Sequence, residues 1–361
     1  MAPSGAARTP ARGKRATIHD VARAAGVAAS TVSRAFSQPD RLRADTLDHV
    51  LAVSAELDYR PNPIARALPR GKTLTLALLV PDITNPFFFG LIRGAGRQAD
   101  AAGYTLVLAD TRESPDVEWK HLERLARGVD GFILASSRLP DARLRALATD
   151  RSLVVINRTI SEAPCVVVDN RQGMRQAGEH LASLGHRRVA YLSGPPTSWS
   201  DRSRWRALHA AARTLGLDVV RLGPFAPTVE SGAAAADAAL VSGVTAVVAF
   251  NDLLAIGTMR RLLGRGVVVP DDMSVMGCDD IFGADFCHPP LTTLAADIES
   301  AGRAAVDLLL TPRGENDPAP RPVVLPTQLR VRASTGTCPT ERRSPSAAAT
   351  HPATPSARGN R

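Results

Sequence analysis

The segment Thr17-Ile-His-Asp-Val-Ala-Arg-Ala-Ala-Gly-Val-Ala-Ala-Ser-Thr-Val-Ser-Arg34 gathers side chains suited to reading a base edge or gripping a phosphate. Arg34 carries a planar fork that pairs with the two acceptors of guanine or with phosphate oxygens, and its residue type leaves both open. Ser30 can donate or accept, and Ala29 offers a methyl to that of thymine. Thr17, His19, Thr31 and Ser33 complete this set of candidate DNA contacts. A second set suits a small polyhydroxylated ligand: Asn85-Pro-Phe87-Phe88, the run Phe250-Asn251-Asp252, and Asp279-Asp280, of which Asp280 reads as structural. Amide and carboxylate pair with hydroxyls while an aromatic ring lies on the apolar face of a sugar. Arg158 and Asp169 each follow an apolar run and extend the list.

Base reading needs a rigid frame. Ile18, Val21, Ala22 and Ala25 step by three or four, an apolar stripe on a first helix. Gly26 supplies a turn residue able to take positive φ. Val27 and Val32 bury a second helix against the first, and small Ala22 lets the two approach closely. This is helix-turn-helix spacing, with the second helix destined for the major groove. Phe36 continues the stripe, and Leu47, Val50, Leu51, Ser54 and Leu57 predict a third helix.

From residue 73 the texture changes to short apolar runs separated by amphipathic stretches. The runs are Leu74–Val80, Thr105–Ala109, Gly131–Ala135, Leu153–Ile156, Cys165–Val168, Arg188–Ser193, Val219–Leu222, Ala246–Phe250 and Met273–Gly277. Strand alternating with helix predicts an α/β architecture with parallel sheets covered on both faces. So many strands call for two doubly wound subdomains, with a crossing expected near 157–165. Ligands of such cores bind between subdomains at the C-terminal ends of strands, where Asn85, Asn251 and Asp279 fall.

The chain has 361 residues and a net charge of +9. Residues 1–72 hold 12 Lys/Arg against 6 Asp/Glu, the body from 73 to 335 is balanced, and the last 26 residues hold 4 against 1. A basic N-terminal segment on a neutral body is what phosphate attraction requires. No apolar run approaches the roughly 20 residues of a membrane span, and the first 16 residues lack the apolar stretch of a secretory signal. Cys165, Cys278, Cys287 and Cys338 show no paired spacing, and Cys278, Cys287 and His288 fit no ordinary zinc knuckle. No nucleophile elbow, phosphate-binding loop or H-E-x-x-H motif is present, and Gly194-Pro-Pro is too stiff to cradle a phosphate. The chain therefore reads as a non-enzyme without metal or cofactor.

Asp20-Val-Ala, Ala25-Gly-Val, Thr31-Val-Ser-Arg34, Tyr59-Arg-Pro-Asn-Pro-Ile-Ala-Arg-Ala-Leu68, Asn85-Pro-Phe-Phe, Leu184-Gly-His-Arg-Arg, Ser193-Gly-Pro, Phe250-Asn-Asp, Val269-Pro-Asp-Asp and Pro290-Leu-Thr-Thr293 resemble, in order, the lactose-repressor (LacI/GalR) family of bacterial transcription regulators. The likeness runs from residue 17 to about 334. It implies a headpiece over 17–60, a hinge and linker over 61–72, and an effector and dimerisation core over 73–335 like a periplasmic sugar-binding protein. The ends, 1–16 and 336–361, are expected to be disordered. The resemblance adds Arg204 as a grip on a ligand hydroxyl. In the hinge, Asn62 and Pro63 read as an N-cap and first helical residue, and Pro69 ends a segment too short to stay helical alone. By resemblance, Leu68 is a minor-groove wedge with Ala65 beside it.

Two departures concern the ligand, Cys278 in place of an aromatic and Ala296 in place of a polar contact. A third is Ala28, where relatives carry a hydroxyl that caps the recognition helix. The implied function is a cytoplasmic homodimer that represses from a palindromic double-stranded DNA operator and is released by a sugar- or nucleoside-class effector. A corepressor-dependent regulator and an activator are the alternatives. A solute-binding protein, the rival from another class, would want an export signal and no headpiece. The absence of Leu from residues 336–361 favours a dimer over a tetramer.

Overall fold

A computed structural model describes residues 16–59, 72–312 and 321–339. The hinge candidates Asn62, Ala65 and Leu68, and most of both tails, lie outside the described residues. The chain divides into two units, one up to Thr73 and one from Leu74 onward.

The first unit holds α1 (Ile18–Ala24), α2 (Ala29–Ser37), a 3-10 turn over Pro39–Arg41 and α3 (Ala44–Glu56). Thr17 caps α1 reciprocally with Asp20: the Asp20 amide donates to the Thr17 hydroxyl, and the Asp20 carboxylate accepts from the Thr17 amide at 2.9 Å. Gly26 takes φ +64° at the turn. Val21, Ala22, Ala25, Val32, Ala35, Val50 and Val53 form the core. In α3 the inward register is Val50, Val53 and Ser54, whereas Leu51 and Leu57, expected inside, are exposed. The Ser54 hydroxyl bonds the Val50 carbonyl at 2.7 Å, which lets a polar residue occupy the inner face.

The second unit contains two six-stranded sheets. The first comprises β1 (Thr75–Val80), β2 (Thr105–Asp110), β3 (Gly131–Ala135), β4 (Leu153–Ile156), β5 (Cys165–Val168) and β11 (Val323–Leu325), all parallel, in the order β11-β5-β4-β3-β1-β2. The second comprises β6 (Arg188–Leu192), β7 (Asp218–Leu222), β8 (Ala246–Ala249), β9 (Ser274–Cys278), β10 (Thr292–Ala296) and β12 (Thr327–Arg330), in the order β12-β10-β9-β8-β6-β7. Only β12 is antiparallel to its neighbour. Helices α4 (Phe87–Ala101), α5 (Pro115–Leu125), α6 (Asp141–Asp150), α7 (Asn170–Ser183), α8 (Trp199–Leu215), α9 (Gly232–Ser242), α10 (Asp252–Gly264) and α11 (Ile298–Leu310) cover their faces.

The chain passes between subdomains three times. β5 leads into α7, whose Met174, Ala177 and Leu181 pack on the second sheet. β10 leads into α11, whose Ile298, Ala301, Ala305 and Val306 join the core of the first. β11 and β12 make the third passage through Pro326. Two of these passages are laced together: the Asp169 amide donates to the Leu325 carbonyl at 2.9 Å, and the Thr327 hydroxyl donates to the Asp169 carbonyl at 2.9 Å. The crossing expected near 157–165 is instead a loop of the first subdomain, because Ile160 and Ala163 bury themselves beneath the first sheet.

Candidate functional site: a helix-turn-helix face and an inter-subdomain cleft

On α2, burial of Val32 and Ala35 fixes which side faces outward. Ser30, Ser33 and Arg34 are exposed, and the Arg34 side chain makes no hydrogen bond or ion pair with any described residue. Thr31 is half-buried. Ala29, expected to face outward, is half-buried and packs on the headpiece core because the first turn of α2 leans into it. His19 is exposed near the start of α1, whereas the Thr17 hydroxyl is already engaged in the cap. The Ala28 cap position makes no side-chain bond, so the amides of the first turn of α2 lack the acceptor a hydroxyl would supply.

The cleft of the second unit is built at strand C-termini. Asn85 follows β1, Glu113 follows β2, Ser136 and Arg138 follow β3, and Asn157 follows β4. From the other sheet, Ser198, Ser200 and Arg204 follow β6, Pro227 follows β7, Phe250 and Asn251 follow β8, and Asp279 follows β9. Phe87 and Phe88 complete the lining. Ser136, Asn157 and Asp279 have φ of +49°, +58° and +118°, as do Glu113 and Asp280 at +55° and +50°. Left-handed backbone at non-glycine residues is costly and is held here by the sheets beneath. The side chains close in on one another and leave only about 30 Å³ between them, so a ligand must part them to enter. The Ser200 hydroxyl bonds the Asn157 carbonyl at 3.4 Å across the cleft.

Arg204 is the hub. Its Nε donates to Asn170 Oδ1 at 3.1 Å, one terminal nitrogen to the Phe250 carbonyl, and the other to Asp279 Oδ1 at 2.7 Å. Its guanidinium carbon also lies 5.3 Å from the centre of the Phe250 ring. Room for that ring comes from Gly194, where a Cβ would stand 2.5 Å from Phe250 Cγ. Burial works against the Arg204 charge, the nearby Asp279 favours it, and on balance the guanidinium stays ionised. Burial pushes the Asp279 carboxyl up despite Arg204. Behind it, burial and the charge of Asp279 raise Asp252 to about 7.

Asp252 is a strut, accepting from the Ile281 amide at 2.9 Å and the Thr293 hydroxyl at 2.5 Å. Asn251 caps α10 through Leu254 and donates to the Pro227 carbonyl at 3.1 Å. Asn85 Oδ1 accepts from the Phe87 amide at 3.0 Å. Phe88 belongs to the first subdomain's core while Phe87, half-buried, keeps more of its ring at the cleft. Asp280 is tied to Arg332 at 2.7 Å.

Two expected ligand residues do not line the cleft. Arg158 is buried, with its terminal nitrogens donating to the Ser137 and Leu139 carbonyls and to Asp141, while its Nε has no hydrogen-bond partner among the described residues. Asp169 caps α7 at the crossing through the Gln172 amide at 3.0 Å, and its neighbour Asn170 reaches Arg204 instead. Sequence reasoning missed Asn170 by one residue. It also missed the two-pronged pair of Arg138 with Glu113, at 2.6 and 3.0 Å, on the opposite wall. Their signal was a polar residue shortly after an apolar run, the same signal that pointed to Asp279. Cys278 is buried in the core of the second subdomain, where burial pushes its thiol up to about 12. Among the described residues no group of His, Cys, Asp and Glu could hold a metal ion, and no helix is long and apolar enough to cross a membrane.

The description of bacterial regulatory proteins of the lacI family matches residues 17–62, and that of a periplasmic binding protein-like domain matches residues 179–335. Over 89% of this chain and 98% of the relative, 32% of residues are identical to the HTH-type transcriptional regulator DegA of Bacillus subtilis. The HTH-type transcriptional repressor CytR of Escherichia coli is 33% identical over 82% of this chain and 89% of its own. Among solved structures, a lac repressor dimer bound to operator and the anti-inducer ONPF superposes with a TM-score of 0.79 at 28% identity, covering 90% of this chain and 100% of that one. A LacI family regulator from Enterococcus faecium with bound ribose gives 0.63 at 31% identity over 73% of this chain and 98% of its own.

Proposed function

This chain belongs to the lacI family of bacterial regulatory proteins, and from that premise we propose that it sits as a homodimer on a palindromic operator and leaves it when a sugar- or nucleoside-class effector enters the cleft. It is a transcription regulator with a helix-turn-helix headpiece and an effector-binding core. The observation that carries the DNA reading is the outer face of α2, where Ser30, Ser33 and Arg34 stand exposed and their side chains engage no described residue. His19, Thr17, Thr31 and Ala29 are proposed as further DNA contacts, as is Asn62 in the hinge, and Leu68 is proposed as a minor-groove wedge with Ala65 beside it, by the family resemblance.

Asn85, Phe87, Phe88, Arg204, Phe250, Asn251 and Asp279 are the proposed effector contacts, joined by Asn170 and Arg138. Arg204 and Asp279 form a donor–acceptor pair matched to vicinal hydroxyls, and Phe87 offers a face for the ring. A homodimer suits a palindrome because two-fold symmetric protein meets two-fold symmetric DNA. Phe282 and Phe286, edge to face at 5.2 Å and exposed at 75% and 70%, are the kind of apolar surface that a second copy covers. The cytoplasm, where the operator is, is the proposed compartment, and no catalytic step is assigned.

The test is a thermal-shift screen of the full chain against sugars, polyols and nucleosides, followed by operator binding with each hit. A ligand at 100 times its Kd adds about 2.7 kcal/mol of stability. A hit that loosens operator binding supports the effector reading. A hit that tightens it turns the reading to corepression, and a panel without a hit removes the sugar and nucleoside classes.

A further inference from the structure

Away from the cleft, α7 and α8 pack side by side and leave a groove of about 560 Å³ on the outer face of the second subdomain. Arg171 and Arg175 line one wall from α7, and Arg202 and Arg206 line the other from α8. Trp199, half-buried at the first position of α8, closes one end, and alanines such as Ala210 line the α8 side further along. No carboxylate is among the lining residues. Arg175 is shared with Glu179 at 2.6 Å and Arg202 donates to the Pro196 carbonyl at 3.2 Å. Arg171 and Arg206 are exposed and engage no described residue. Four guanidinium groups facing one groove repel one another, and of the four Arg175 alone shares a hydrogen bond with a carboxylate among the described residues, so the groove suits a multiply charged anion. Its size is that of a small-molecule site, and its composition is split between cations and an aromatic face with an apolar floor.

We propose that this groove is a second ligand site, distinct from the effector cleft, for a nucleoside polyphosphate. The phosphates lie among Arg171, Arg175, Arg202 and Arg206, where guanidinium forks bind oxygens in pairs. The base lies on Trp199 and the apolar floor. The basic tail residues Arg342, Arg343, Arg358 and Arg361 of this chain carry the wrong sign to fill it.

Isothermal titration of the full chain with ATP, free of divalent metal and at low ionic strength, tests this. Saturable binding of one ATP per chain is expected, weakened about tenfold or more in the Arg171→Ala/Arg206→Ala double variant. Both positions are exposed, so the melting temperature should hold and keep the variant interpretable. Trp199→Ala should lower affinity for ATP but not for inorganic tripolyphosphate, and Asp279→Asn in the cleft should leave ATP binding as it was. Absence of ATP binding overturns the proposal, as does ATP affinity indifferent to the double variant. Loss of ATP binding in Asp279→Asn would move the ligand to the cleft. Tripolyphosphate or a polyglutamate peptide binding as tightly as ATP would reduce the groove to an unspecific basic surface and overturn it as well.

Discussion

Arg204 and the carboxylates near it set the electrostatics of the cleft. Removing a buried cation leaves its partner charged and desolvated, at a cost of about 3–5 kcal/mol. Arg204→Ala should therefore lower the stability of the core by that amount in urea unfolding, since Asp279 keeps its buried position; a loss below about 1 kcal/mol would show that Asp279 simply takes up a proton or turns to solvent. Asp252 gives the site a pH signature. Its carboxyl is raised from 3.8 to about 7, so the folded state holds a proton there that the unfolded chain has lost. Stability from this group is fully present below about pH 4 and is lost as pH rises through about 7. Asp252→Asn can still accept from Ile281 with its oxygen and donate to a rotated Thr293 hydroxyl. The variant should flatten the decline in melting temperature between pH 4 and 8, and an unchanged profile would assign the titration to another group. Most of these cleft residues were legible because each follows an apolar run. Which neighbour turns inward was not, because Asp169 and Asn170 differ only in the backbone direction at a crossing that depends on contacts from Leu325 and Thr327.

Helices α4 and α11 approach closely at Gly94 and Gly302. A Cβ on Gly94 would stand 2.0 Å from the Glu299 carbonyl oxygen, and one on Gly302 would stand 2.3 Å from that of Leu91. Both obstacles are backbone, so Gly94→Ala must push the helices apart. Overpacking of this kind costs about 1–3 kcal/mol, read as a lowered midpoint in chemical denaturation; an unaffected midpoint would mean the crossing is looser than drawn. At α2 the sign reverses. Ala28→Ser places an acceptor on the uncapped first turn and should stabilise the headpiece by about 0.5–2 kcal/mol, measured by amide exchange in the isolated α2 signals of the full chain. The elements themselves were largely readable, since apolar runs such as Thr105–Ala109 stand between amphipathic helices. β10 was seen only as the motif Pro290-Leu-Thr-Thr293 and not as a strand; β11 and β12 were missed because Pro322 and Pro326 break the pattern and the strands lie at sheet edges where proline is tolerated. The all-round apolar α9 carries no facial signal, and in α3 the period admits two registers that only packing distinguishes.

For the molecule as a whole, the headpiece and core segments differ in charge and periodicity along the sequence. The passages at residues 168–170, 296–298 and 325–327 were not legible, because the sequence on either side of each is equally compatible with staying in one sheet. The homodimer reading belongs to this scale. Phe282→Ser/Phe286→Ser should shift the full chain from dimer to monomer in light scattering and weaken operator binding without unfolding the core, since both rings are exposed; a persisting dimer would move the interface elsewhere. Fluorescence anisotropy of an operator selected from random duplexes asks whether an effector in the cleft controls operator binding through this headpiece. The full chain is titrated with and without the effector from the thermal screen, beside Arg34→Ala. Tight operator binding that the effector releases is expected, with a loss of about 1–3 kcal/mol in Arg34→Ala. Operator affinity indifferent to both the effector and Arg34 would contradict effector control through the headpiece.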